Sequence, residues 1–295
     1  MSTEINQEIS YEISSKERIY FFIKIIFALA GYYFIYGLLD LALMIFAAKP
    51  ELVLVFSVYA LIIIFLLFMR IGVLTGYLKG NAVKVSSSQF PDIHNIVIAQ
   101  CESLGIKNTP SVYILQHGGV LNAFATSFLG SNYIVLYSDI AEEAYSNNLR
   151  SVEFVIGHEL GHIKRKHMLK SLILFPSIIV PFLNSAYSRA CEYTCDNIGA
   201  ALAPSGVKPG LVLLASGKQL YTKVNIERFV DQEKTENGFW FWFAEKISSH
   251  PRLTKRVKRF NDLTVPEKKH VSAPKIELKK EPVFEESDHN KYLPK

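Results

Sequence analysis

The sequence predicts an α+β, mainly helical protein: an N-terminal transmembrane helical hairpin followed by a globular domain with a small sheet. Three observations predict it. Hydrophobic residues make up 49% of the 295, and the excess is gathered before residue 80 rather than spread. Beyond that point, apolar residues recur at helical spacing in several segments. Two short runs rich in β-branched and aromatic residues, Ser111 to Leu115 and Tyr133 to Tyr137, read as strands.

Met1 to Arg18 is polar and mixed in charge. From Ile19 to Ala48 the chain is almost wholly apolar, interrupted by Lys24 and Asp40. Lys49-Pro50-Glu51 is a short polar break, and Leu52 to Met69 then carries no charge at all. At 1.5 Å per residue that stretch covers about 27 Å, close to the hydrocarbon thickness of a bilayer. Residues 1–80 therefore read as a membrane anchor with two crossings, about 19–48 and 52–72. Lys24 can snorkel from the start of its span, and Asp40 is expected against the second helix. A cleaved signal peptide ending at Phe46-Ala47-Ala48 is the weaker reading, because a second apolar stretch follows at once. Two buried helices of a soluble protein are equally disfavoured, since neither stretch has a polar face. Lys16 and Arg18 precede the first span and Arg70, Lys79 and Lys84 follow the second, against Lys49 alone in the turn. The positive-inside rule then places a multi-pass protein in the cell membrane, with both termini and the catalytic domain cytoplasmic.

Composition becomes globular from about residue 81. Ile93 to Leu104 has helical periodicity with Gly105 as terminator, and Glu153 to Lys166 is helical as well. The domain is expected over 81–263, and the remainder, 264–295, is a charged, disordered tail dense in Lys, Glu and Pro. A net charge of +5 without a Gly-rich phosphate loop or a nucleic-acid motif argues against nucleic acid as a partner. Three cysteines, Cys101, Cys191 and Cys195, do not make a disulfide framework and read as reduced thiols.

The chemistry is carried by His158-Glu159-Leu160-Gly161-His162. Positions i and i+4 lie on one face of a helix, so both imidazoles can reach one ion. Glu159 is turned about 100° away, beside the metal and able to take a proton from a metal-activated water. By itself this five-residue match leaves open that the two histidines are ordinary core or surface residues. A second constellation downstream, Ser188 to Asp196, lowers that alternative. Glu192 and Asp196 again stand four apart, so one carboxylate can ligate while the other orients a histidine. Three ligands, His158, His162 and Glu192, leave a fourth position open, as catalytic zinc requires. A metzincin ligand set fails on spacing, with His167 one place out. Cys191 and Cys195 form a rival pair, about 100° round the same helix. Two thiolates would close the site and leave Glu159 without a task.

With these residues in hand, the chain resembles the gluzincin peptidase family that contains HtpX and the CAAX prenyl endopeptidase. The matching residues are Asn122-Ala123-Phe124-Ala125, the His158–His162 motif, the Glu192–Asp196 motif, and His250-Pro251 with Arg256 beyond. The resemblance implies one Zn2+ per chain and a peptide or protein substrate, membrane proteins among them. It implies that Asp196 orients a zinc-binding histidine and Arg256 pairs with Asp196. It implies that His250 stands near the substrate carbonyl, where spacing alone allows a structural histidine before a proline turn. It also implies that the strand holding Asn122, Ala123 and Phe124 binds substrate backbone as an added strand.

One departure from the family is plain. HtpX-like members have two further transmembrane helices between the zinc motif and the third ligand. Here that interval offers only Leu169 to Ala186, broken by Pro176 and Pro181. A single crossing would strand Glu192 on the wrong side, and two need about 40 apolar residues. The segment, about 169–186, is expected to be a short hydrophobic hairpin, on the domain or dipping into the lipid surface. Phe239-Trp240-Phe241-Trp242-Phe243 poses the same choice between core packing and the membrane interface. The function expected is a membrane-anchored zinc endopeptidase. An inactive scaffold retaining the fold and a sensor using Cys191 and Cys195 are the rivals.

Overall fold

A computed structural model describes residues 9–116, 123–128, 131–146 and 149–261 of the chain. The expected tail over 264–295 and the expected substrate contact Asn122 lie outside the described residues. Helix α1 (Ser15–Ala48) and helix α2 (Glu51–Asn81) form the N-terminal hairpin, closed near its turn by contact of the Phe46 and Phe56 rings. Among the described residues these are the two helices long and apolar enough to cross a membrane, and Leu78 alone is buried in α2. Asp40 is exposed, not packed against α2 as expected. Lys24 does not snorkel either; it is buried, donating to Asn184 Oδ1 at 2.7 Å and lying over the Tyr187 ring.

The globular part begins with strand β1 (Val83–Lys84) and helix α3 (Pro91–Ser103), which stops at Gly105 with φ of +61°. Strands β2 (Ser111–Leu115), β3 (Ala123–Phe128) and β4 (Ser131–Tyr137) follow. The sheet order is β1-β2-β4-β3, with β2 parallel to β4 and the other pairs antiparallel. It is a small mixed sheet, and β3 is left at one edge.

Helix α4 (Ser138–Ser146) leads to α5 (Leu149–Lys164), the central helix, whose residues from Phe154 to Gly161 are all buried. Helix α6 (His167–Ile173) and a 3-10 turn (Phe175–Ile179) then connect to α7 (Leu183–Leu202). The segment 169–186 is thus a short helix, a tight turn and the start of α7. Helices α8 (Val207–Ser216), α9 (Ile226–Thr235), α10 (Phe239–Ile247) and α11 (Leu253–Asn261) complete the domain. The main core joins the sheet, α3, α4, α5, α8 and α11 through Ile93, Ile134, Leu136, Ile140, Val152, Leu211 and Val257.

Two helix contacts position the site. Helix α7 lies tightly along α5. A Cβ at Gly161 would stand 3.2 Å from the Cα and the sulfur of Cys195, so the absent side chain lets the two backbones approach. Helix α7 also runs antiparallel to the first half of α1. Ser14 N donates to Thr194 Oγ1 at 3.1 Å, Phe21 meets Tyr187, and Lys24 bonds Asn184.

Candidate metal centre and active-site cleft

Helix α5 presents His158 and His162 on one face, and α7 brings Glu192 against them. His158 Nε2 and His162 Nε2 are 3.3 Å apart. Glu192 Oε2 is 3.3 Å from the first and Oε1 is 3.4 Å from the second. Two donor atoms bound tetrahedrally at zinc bond lengths of about 2.0–2.1 Å would be separated by about 3.3–3.4 Å, a spacing the two nitrogens meet, while Glu192 offers a different oxygen to each. Two imidazole nitrogens and a carboxylate, with one ligand atom from each within 4.8 Å of the others, are a donor set that fits zinc in its chemistry. The three residues that spacing nominated as ligands come together.

Both imidazoles are held from behind. His158 Nδ1 is 3.0 Å from Asp196 Oδ1, and Asp196 is clamped by Arg256, with Nη2 at 2.6 Å from Oδ1 and Nε at 2.9 Å from Oδ2. Donation of Nδ1–H to Asp196 leaves the His158 Nε2 lone pair facing the donor triangle. Burial alone would lower the His158 pKa, but Asp196 and Glu192 outweigh it and carry it up to about 10. That is the negative field a cation would meet there. Burial raises the carboxyl of Asp196, yet the guanidinium of Arg256 and the ring of His158 hold it below the usual range. Glu192 is held well below its usual range in the same way by the two imidazoles, against burial.

His162 is held by a group the sequence reading set aside. His167 Nδ1 lies 3.1 Å from His162 Nδ1. On its other side, His167 Nε2 stands 3.3 Å from Glu17 Oε1, which also accepts from Arg165 Nη2 at 3.0 Å. Burial drives the His167 pKa down to about 4, so the ring is neutral at pH 7 and able to relay one hydrogen bond. The local cause is Lys166, whose φ of +54° breaks the chain between α5 and α6 and folds His167 back. A histidine five residues after the motif gave the one sequence signal. Glu17 gave none, being a polar residue far away in the chain.

Cys191 and Cys195 lie on the His167 side of the centre, where Cys195 groups with His162 and His167. Cys195 Sγ is 3.7 Å from His167 Nδ1, and Cys191 groups with Glu17 and His167. Burial raises the thiol pKa of Cys191 to about 12.

The centre opens into a cleft of about 860 Å3 lined by Glu159, His250, Arg256, Ala123 and Phe124, and continuing to Met168, Leu169, Phe175 and Ile178. Glu159 is buried at its wall. His250 Nε2 reaches to 3.5 Å from Glu192 Oε1 while its side chain stays 64% exposed. Strand β3 borders the cleft with Ala123 to Thr126, and it is an edge strand of the sheet.

A motif helix crossed by a second helix bearing a carboxylate, with a small sheet alongside, defines the class: a mainly helical, membrane-associated metalloprotease. Residues 87–181 match the model of Peptidase family M48. The chain is 25% identical over 260 residues to a Protease HtpX homolog of Helicobacter pylori (strain Shi470), covering 73% of this chain and 82% of that one. The crystal structure of S. mikatae Ste24p is similar over 85% of this chain and 67% of that chain, with 17% identity and a TM-score of 0.45. The chain is thus similar to M48 peptidases over the segment that carries the His158–His162 motif, and to an HtpX homolog over most of its length.

Proposed function

We propose that the protein is a membrane-anchored, zinc-dependent endopeptidase whose catalytic domain faces the cytoplasm. The observation that carries this reading is the convergence of His158, His162 and Glu192, with the two Nε2 atoms 3.3 Å apart and a different Glu192 oxygen 3.3–3.4 Å from each. Zinc bound there supplies a Lewis acid that polarises the scissile carbonyl and acidifies a water molecule. Glu159 takes the proton from the attacking water and hands it to the leaving amine as the C–N bond breaks. Asp196, fixed by Arg256, keeps His158 in its ligating tautomer. His250, on the exposed side of the cleft, donates to the developing oxyanion. Strand β3 presents its open edge so that a peptide lies beside Ala123 and Phe124 as a further strand. The substrate class is polypeptide, membrane proteins included.

Metal analysis and chelator-sensitive proteolysis of a model membrane protein, both in detergent, test the reading. Wild type should carry one zinc per chain and lose activity to a chelator. Glu159→Gln should keep its zinc and lose activity by about 10²–10⁴-fold, whereas Glu192→Ala should lose zinc as well. Unchanged proteolysis by Glu159→Gln would remove the mechanism.

A further inference from the structure

Helix α10 is the most apolar exposed element of the globular part. None of its residues is buried, and Phe239, Trp240 and Trp242 are 63%, 77% and 50% exposed. Core packing is thus not what Phe239, Trp240 and Trp242 are for, while Phe243 packs on Phe182 and Phe241 lies under Arg252. A patch of this kind on a monomeric domain marks a contact surface, and its height along the membrane helices says which.

The height follows from the register of α7 on α1. The pairs Ser14–Thr194, Phe21–Tyr187 and Lys24–Asn184 run in opposite directions down the two helices. The series continues past α7. Tyr32 Oη donates to Ile173 O at 2.7 Å, and a Cβ at Gly31 would lie 2.6 Å from Pro176 Cβ. Helix α10 sits on the same end of α7. Phe243 meets Phe182, Ser185 Oγ donates to Ile247 O, and Arg189 Nη1 donates to Lys246 O and Ser248 O. Its N-terminal turn therefore points past Phe182, toward the level of residues 26–30 of α1.

The bilayer surface falls at that level. The charge-free stretch of α2, Leu52 to Met69, ends at Arg70 about 27 Å from the turn. The same length counted back from Ala48 ends at Gly31. The headgroup layer adds about 5–7 Å beyond the hydrocarbon, which reaches roughly to Ile26. We infer that the turn Phe239–Trp242, together with the exposed apolar side chains of the α6 to α7 connection, docks into the headgroup boundary of the lipid bilayer. The occupant is lipid because the patch is continuous with helices that themselves enter it, and because tryptophan favours that boundary. Among the described residues, the cleft wall at Met168, Leu169, Phe175 and Ile178 then lies along this boundary. The inference rests on the membrane-hairpin part of the proposed function and not on the metal.

The two tryptophans of the chain are both in α10, so intrinsic fluorescence reads this element alone. The full chain is placed in nanodiscs of phosphatidylcholine with bromines at shallow or deep acyl positions, or with none. Recovery with the disc verifies that the hairpin is inserted. The expected result is strong quenching by shallow bromines, at least twofold greater than by deep ones, with little quenching by aqueous iodide. Trp240→Phe should remove more of the quenched signal than Trp242→Phe, since Trp240 is the more exposed. Emission unaffected by bromine would overturn the inference, whether iodide reaches the rings or a second protein shields them. Stronger quenching from deep bromines would overturn it too, because the helix would then lie within the hydrocarbon.

Discussion

Asp196 and His167 stand behind the two imidazoles and play the same physical part. Each fixes the Nδ1 side of one ring, at 3.0 Å from His158 and 3.1 Å from His162, so that Nε2 points at the donor triangle. The two supports differ in origin: Asp196 is on α7, close to Glu192, while His167 depends on Glu17 from α1. Removing either should lower zinc affinity by about 10–100-fold without removing a ligand. Competition with a chromogenic chelator, run on Asp196→Ala, His167→Ala and Glu17→Gln, measures it. Wild-type affinity in His167→Ala would show that His162 needs no support. The thiols make a second residue-scale prediction. Burial raises Cys101 to about 11 and Cys191 to about 12, and puts Cys195 well above its usual range. All three stay protonated at pH 8, and the thiolate is the reactive form. Alkylation of the native chain at pH 8 should therefore be negligible until denaturant is added. Rapid native labelling of Cys191 would instead favour a thiol-based sensor.

At the scale of elements, the site exists because α5 and α7 approach closely, and that approach hangs on a residue with no side chain. Gly161 lies between the two motif histidines and within 3.3 Å, by its absent Cβ, of three atoms of Cys195. Gly161→Val keeps every ligand but should wedge α7 outward, costing about 1–3 kcal/mol of stability and much of the zinc affinity. Gly37→Ala, with open space around it, is the control expected to change neither. Thermal unfolding and metal content of the two variants check this, and normal zinc in Gly161→Val would refute the spacing argument. The elements themselves were largely legible: α3 and α5, strands β2 and β4, and the two apolar helices follow from periodicity and composition. The proposed ligands could be nominated because i, i+4 spacing is a local property. Contacts such as Glu17 with His167 were not, since 150 positions separate them and no short pattern encodes the pairing. Lys24 misled for the same reason, because its partner Asn184 is 160 positions away.

At the scale of the whole molecule, α1 is more than an anchor. Its length of 34 residues, about 51 Å, exceeds the hydrocarbon thickness of about 30 Å, and the surplus is the part that docks along α7. Ser14, just before the helix, and Glu17, Phe21 and Lys24 within that surplus all meet α7 or the α5–α6 corner. A chain cut to begin at Ala82 would keep His158, Glu159, His162 and Glu192 while losing this face. It should expose Tyr187 and Thr194, both buried in the full chain, and free His167 of its Glu17 partner. We expect the truncated chain to unfold at lower temperature and to hold zinc about 10–100-fold more weakly than the full chain in detergent. Fusing residues 9–28 back through a flexible linker should restore part of both, because the docking face needs no bilayer. If the truncated chain binds zinc as tightly as the full one, then α1 only tethers the domain, and the path from Glu17 through His167 to His162 contributes nothing to the metal centre.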